Sequence, residues 1–217
     1  MRTFEPDLII FDCDGVLVDS ELLSCGALAD VLGGAGIDLS LDEALKLFLG
    51  RSTKAVLEHY RSLGRELPDS FFADLKQRVR DRFSASLQPI PGIAALLSAL
   101  TVPCCVASSS DLDRIRFSLQ FTGLIGHFGD RLYSAEMVAR GKPAPDLFLL
   151  AADRMGIPPA RTLVVEDSVG GVMAAKAAGM TVWGFVGGSH YRSRDGRAML
   201  YDAGADRVFD RMADFWR

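Results

Sequence analysis

Leu8-Ile9-Ile10-Phe11-Asp12-Cys13-Asp14-Gly15-Val16-Leu17-Val18-Asp19-Ser20 is the stretch whose reading decides the fold. Four uninterrupted apolar residues, Leu8 to Phe11, read as a strand buried on both faces, as in the middle of a helix-covered parallel sheet. Asp12 and Asp14 follow directly, then Gly15. In an open α/β sheet these acids would stand in the crevice beyond the strand's carboxyl end, where ligands bind. Two close carboxylates repel, and keeping both ionised calls for a cation between them. A hard divalent ion such as Mg2+ prefers carboxylate, carbonyl and water oxygens. Gly15 permits the sharp turn that lets a main-chain carbonyl join them. Alone, D-x-D-G is equally compatible with an acidic βα loop. An EF-hand fits poorly, because its glycine stands at position 6 and this one at position 4.

Outward from this stretch, 217 residues that are 49% apolar can bury one good core and carry a smaller appended domain. The net charge of -4 is spread along a chain with no basic run, which weighs against a nucleic-acid partner. The first seven residues hold Glu5 and Asp7 and lack the long apolar region of a secretion signal. No stretch approaches the length of a membrane span. The cysteines, Cys13, Cys25, Cys104 and Cys105, form no C-x-x-C pair, and adjacent Cys104 and Cys105 should face opposite sides of a strand. Reduced core thiols in a cytoplasmic protein are the simplest account. Cys13, with no histidine near it in sequence, reads as packing.

From residue 20 to 86 the pattern is helical throughout. Glu21 to Leu32 is expected to end at Gly33-Gly34, and Ser40 with Glu43 forms a capping box opening a helix through Phe48. Gly50-Arg51-Ser52 reads as a turn, with Ser52 capping the next helix, and Phe72, Leu75, Val79 and Phe83 mark another. A helix-only block directly after the first strand implies a cap over that strand's end. The expected division is a core of residues 1–19 with 87–217 and an α-helical cap of 20–86. After Pro89-Ile90-Pro91-Gly92, strands at 102–107, 132–134, 163–165, 181–186 and 207–209 alternate with helices. That alternation predicts a doubly wound parallel sheet.

Several of these strands end in polar groups: Asp12 and Asp14, Ser108 in a run of three serines, and Glu166 with Asp167. Lys142 sits on a proline-braced loop between the last two. In a parallel sheet all would emerge on one edge and make a site for Mg2+ and a phosphoryl group. Asp12 would attack phosphorus, and Asp14 would protonate the leaving alkoxide and then deprotonate water. Asp12, Asp14, Glu166 and Asp167 would hold the metal. Ser108 and Ser109 would meet phosphoryl oxygens, and Lys142 would neutralise their charge. Each residue singly has a blander reading: Ser108 as a turn residue, Lys142 as a solvated lysine, Asp167 or Ser168 as a helix cap. Co-occurrence carries the argument. Gly170-Gly171 lacks the G-x-G-x-x-G spacing of a dinucleotide loop, and His59, His127 and His190 are scattered.

The stretch from Asp12 to Ser20, Ser108, Lys142-Pro143-Ala144-Pro145-Asp146 and Glu166-Asp167-Ser168 resembles, in order, the four motifs of the haloacid dehalogenase superfamily. The helical insert is similar to the cap of the subfamily of β-phosphoglucomutase and small sugar phosphatases, and the whole chain is most like 6-phosphogluconate phosphatase-like proteins. The resemblance implies a HAD-like, Rossmann-type α/β core, Mg2+, an aspartyl-phosphate intermediate and a cap that opens and closes. Asp14 argues against dehalogenation, because a departing halide needs no proton. The mutase places a histidine and an arginine in its cap where this chain aligns Ser24 and Thr53, which favours a plain phosphatase. Gly50, Arg51 and Ser52 are expected to face the substrate. The expectation is thus a cytoplasmic Mg2+-dependent phosphatase acting on a small sugar phosphate or sugar-acid phosphate, as a monomer or weak homodimer. A phosphoglucomutase-type phosphotransferase and a non-catalytic HAD-fold binding protein are the alternatives.

Overall fold

The computed structural model describes residues 4–192 and 194–216. The Leu8–Phe11 run forms β1, and all four residues are wholly buried. The chain then enters four helices, α1 (Glu21–Gly34), α2 (Leu41–Phe48), α3 (Thr53–Ser62) and α4 (Phe71–Ser86). The rest alternates: α5 (Ile93–Ala99), β2 (Cys104–Ser108), α6 (Leu112–Phe121), β3 (Leu132–Ser134) and α7 (Asp146–Met155). There follow β4 (Thr162–Glu166), α8 (Val169–Ala177), β5 (Thr181–Phe185), α9 (Gly196–Asp202) and β6 (Arg207–Phe209).

All strands pair in parallel in the order β3-β2-β1-β4-β5-β6. β1 is central: Phe11 pairs with Val106 of β2 and with Val165 of β4. The chain builds outward from β1 on one side and then on the other, so the crevice beyond β1 is the topological switch point. Alternate strand residues divide between the faces. Ile9, Phe11, Val106 and Val165 pack with α5, α6 and the apolar sides of α1 and α4, while Leu8, Ile10, Ala107 and Val164 pack under α7 and α8. Cys104 and Cys105 fall on opposite faces as period-2 geometry requires, and all four cysteines are free and buried.

Local signals placed most helix ends well. Ser40 and Glu43 form the reciprocal capping box, and Ser52 and Asp111 cap α3 and α6. One expectation fails: Gly33-Gly34 does not stop α1, which runs through Gly34. Termination falls at Gly36 (φ 74°), where Gly36 N–H donates to Gly33 O and Ile37 N–H to Leu32 O. That paired pattern needs a left-handed residue just past the last turn, and Gly36 supplies it. Among the described residues no helix is long and apolar enough to cross a membrane.

Candidate active site

Asp12 follows β1 immediately, and its N–H still donates to Val165 O at 2.9 Å, so the sheet itself positions it. The chain then turns back, with Gly15 N–H donating to Val18 O at 2.8 Å. Gly15 has φ 76°, and a Cβ there would lie 1.8 Å from Asp167 Oδ2. The loops after β1 and β4 therefore touch at Gly15, which keeps Asp167 beside the first two acids.

Lys142 reaches this place from the loop before α7. Its Nζ donates to Asp12 Oδ1 at 2.6 Å, to Glu166 Oε1 at 2.7 Å and to Ala107 O at 3.0 Å, and the side chain is only 2% exposed. Burial alone would lower the ammonium's pKa; the charges of Asp12 and Glu166 outweigh it and hold Lys142 above its ordinary value. Glu166 Oε2 accepts from Ser168 N and Oγ, and Ser168 Oγ caps α8. This packing needs Gly171, where a Cβ would meet Glu166 Oε1 at 1.8 Å. Asp12 and Asp167 are both pushed well up, by burial first and then by neighbouring carboxylates, with Lys142 opposing.

Asp14 has different partners. Ser20 Oγ and Arg114 Nη2 donate to Oδ1 at 2.6 and 2.7 Å, and Ser110 Oγ donates to Oδ2 at 2.6 Å. Burial works to raise its pKa, but the Arg114 charge and the serine hydrogen bonds hold it below the usual carboxylate range. Arg114 Nη2 also donates to Ser24 Oγ at 2.7 Å, and its guanidinium lies over the Phe83 ring of α4. One arginine thus links the second acid to two of the inserted helices. Both oxygens of the Asp14 side chain thus accept hydrogen bonds from the protein.

A cleft opens over these groups between the sheet edge and the inserted helices. Asp12, Asp14, Ser108, Ser109 and Ser110 form its floor. Ser108 Oγ accepts from Ser110 N at 3.1 Å. Glu21, Ser24, Arg51, Thr53 and Arg114 supply polar groups on its walls, and Phe48, Val56, Leu75 and Val79 supply apolar surface. Gly50 also lines it, pressed against Ser168 so closely that a Cβ would meet the serine side chain at 2.6 Å. Ser52 departs from expectation. Its hydroxyl accepts from Ala55 N as the cap of α3 and it does not line the cleft, where Thr53 stands in its place. The same polarity that makes serine a good cap consumes it there.

His190 also departs from expectation. Scattered in sequence, it lies buried with Nε2 3.0 Å from Asp167 Oδ2, although neither atom has a hydrogen-bond partner. Burial holds the imidazole below its usual pKa, against the charges of Glu21 and Asp19. Tyr191 OH donates to Asp167 O, and Asp19 Oδ1 accepts from Ser189 N and Oγ. These bonds tie the loop after β5 to those after β4 and β1. Sequence reasoning missed Ser20, Ser110, Arg114, Glu21 and His190 as site groups. Only the strand order could have found His190; the serine run was a signal for Ser110.

The donors suit a hard cation. Asp167 Oδ2 lies against the Gly15 turn that follows Asp12 and Asp14, and it is buried with no hydrogen bond. Among the described residues five buried carboxylates, Asp12, Asp14, Glu21, Glu166 and Asp167, gather here, and Lys142 and Arg114 bring two positive charges. Among the described residues no three histidine, cysteine or acidic side chains converge as a finished cage. Water and phosphoryl oxygens would have to complete the set, as Mg2+ ordinarily requires.

Residues 6–179 match the haloacid dehalogenase-like hydrolase family. The chain belongs to that family. It is 32% identical over 189 residues to 6-phosphogluconate phosphatase of Escherichia coli (strain K12), covering 85% of this chain and 84% of the relative. Over 177 residues it is 33% identical to fructose-1-phosphate phosphatase of the same strain, covering 79% and 92%. Among solved structures, a haloacid dehalogenase-like protein from Agrobacterium tumefaciens superposes with a TM-score of 0.80 at 40% identity, covering 96% of this chain and 95% of that one. The α/β core with its all-parallel sheet is that of the family, and the ordered motifs that suggested it lie within the matched residues.

Proposed function

We propose that this hydrolase is a Mg2+-dependent phosphatase that cleaves a small phosphorylated metabolite, a sugar phosphate or sugar-acid phosphate, through an aspartyl-phosphate on Asp12. One observation carries the reading. Lys142 Nζ is within 2.7 Å of both Asp12 and Glu166, while Asp14, two residues on, is held in a separate network by Ser20, Ser110 and Arg114. Two acids so close, in such different surroundings, suit two different tasks.

Asp12 attacks phosphorus, forming an Oδ–P bond as the ester P–O bond breaks. Lys142 offsets charge on the phosphoryl oxygens, which Ser108 and Ser109 orient. Asp14 gives its proton to the departing oxygen; the arriving phosphate dianion raises its proton affinity against the pull of Arg114. Water then attacks phosphorus, Asp14 takes its proton, and the P–O bond to Asp12 breaks. Asp12, Asp167 and the main-chain carbonyl of Asp14, with Glu166 nearby, would hold Mg2+, whose charge when bound stabilises the transferring group.

Residues 20–86 act in this reading as a cap on a core of 1–19 and 87–217. Gly50 and Arg51 face the substrate, and Ser52 holds their turn in place. Ser24 and Thr53, the cap positions at which the mutase carries histidine and arginine, both line the cleft with neutral hydroxyls. That favours hydrolysis over phosphoryl transfer between sugar positions.

The test is phosphate release from a panel of sugar phosphates and p-nitrophenyl phosphate, with Mg2+ and with chelator, for the wild type and Asp12→Asn. Metal-dependent turnover that vanishes in the variant is expected. Folded wild-type protein that releases no phosphate from any of them overturns the proposal.

A further inference from the structure

Glu21 opens α1 on the wall of the cleft that holds Asp12 and Asp14, and it is only 5% exposed. The protein gives its carboxyl very little. Among the described residues the one group that donates to it is the Cys25 thiol, 3.9 Å from Oε2. Burial, then the charges of Asp167 and Asp14, push its pKa up to about 8. A buried polar group without a good partner is costly, and its retention asks for a reason outside the folded chain.

Arg114 stands on the same wall. Its Nη2 is used on Asp14 and Ser24, but its Nε is buried with no hydrogen-bond partner. The cleft thus offers one under-used acceptor, with a guanidinium on the same wall, next to the acid that would serve the leaving oxygen. Leu28, Phe48, Val56, Leu75 and Val79 line the remainder and limit competing water. A hydroxyl donates, so it satisfies the Glu21 carboxyl. A second phosphate would bring negative charge against Asp14, which is held ionised.

We infer that Glu21 is a specificity-determining residue that accepts a hydrogen bond from a hydroxyl on the substrate's leaving group. The enzyme therefore selects polyhydroxylated phosphomonoesters over those with a bare carbon or aromatic leaving group. This rests on the phosphatase reading and names what that site recognises.

The experiment measures kcat and KM of the wild type, Glu21→Ala and Glu21→Gln on hexose phosphates, on their monodeoxy analogues and on p-nitrophenyl phosphate. Far-ultraviolet circular dichroism and melting confirm that each variant folds. The alanine variant should lower kcat/KM for the best hexose phosphate relative to p-nitrophenyl phosphate by about 10- to 100-fold, the range for one hydrogen bond to such a group. One monodeoxy analogue should show the same loss with the wild type and little further loss with the variant. The glutamine variant, which keeps an acceptor, should recover most of the activity. An equal fall on all substrates, or no change on any, overturns the inference and leaves the phosphatase reading standing. If the wild type cleaves none of them, both fall together.

Discussion

Replacing Lys142 with methionine removes one ammonium and keeps most of its stem, and the structure sets the size of the effect. Nζ lies 2.6 Å from Asp12 and 2.7 Å from Glu166, with all three side chains nearly excluded from water. At an effective dielectric of about 20 each such pair attracts by roughly 6 kcal/mol, against several kcal/mol for burying each ion. Breaking a buried pair by removing one partner typically costs about 3–5 kcal/mol, because the other charge is left uncompensated. Here two carboxylates are left, beside Asp167. For a chain of this size that corresponds to a fall in melting temperature of about 6–20 °C. The assay is thermal unfolding followed by circular dichroism, in chelator so that no metal compensates. Lys142 has a raised pKa, so its contribution is complete below the unfolded lysine value and is lost only as pH climbs through the higher folded one. The gap between wild type and variant should therefore persist between about pH 7 and 9. Adding Asp12→Asn to the variant removes one surplus carboxylate and should restore part of the loss. A Lys142→Met protein melting within about 2 °C of the wild type, or a double variant no more stable than the single, would refute the charge-balance argument.

Arg114→Met frees the Asp14 carboxylate from its strongest partner. We expect kcat on sugar phosphates to fall by about 100-fold or more, consistent with mispositioning a general acid–base group, while p-nitrophenyl phosphate, whose leaving group needs less protonation, loses less; equal losses on both would contradict this. Gly171→Ala drives a methyl into Glu166 and should displace its carboxylate from Lys142, lowering phosphatase activity sharply although the helix itself accepts alanine; unchanged kinetics would show that the contact can relax. Glu43 is held below its usual carboxylate value by Ser40's side-chain and main-chain hydrogen bonds. Its stabilising effect on α2 is thus present above the unfolded pKa and lost as pH falls through the lower folded one. Ser40→Ala should move the Glu43 titration, followed by NMR, upward toward 4.5, and an unmoved curve would dismiss the capping box as its cause.

Much of this protein was legible before folding. The Leu8–Phe11 run could be a buried strand because consecutive residues point to opposite faces, and only a covered central strand welcomes apolar groups on both. The alternation after residue 86 then implied a parallel sheet, and a parallel sheet brings the carboxyl ends of its strands to one edge. Asp12, Ser108, Glu166 and Asp167 were therefore candidates for one site from their order alone, with Lys142 joined to them through its motif. Capping at Ser40 and Ser52 was equally local, since a side chain and the amide it accepts from are three residues apart.

The tertiary structure decided what lies across that edge. Arg114 sits one turn into α6, a hundred residues from Asp14, and no local signal separates it from Arg116, which faces outward to Asp130. His190 meets Asp167 because β5 lies beside β4, and Glu21 becomes a buried cleft residue because α1 folds over the end of β1. Ser52 caps α3 as its position implied, and only the packed chain shows that Thr53 and not Ser52 lines the cleft. Spacing along a strand or helix fixes which residues share a face. Charge partners and burial depend on which faces meet, and those are settled only when the whole chain packs.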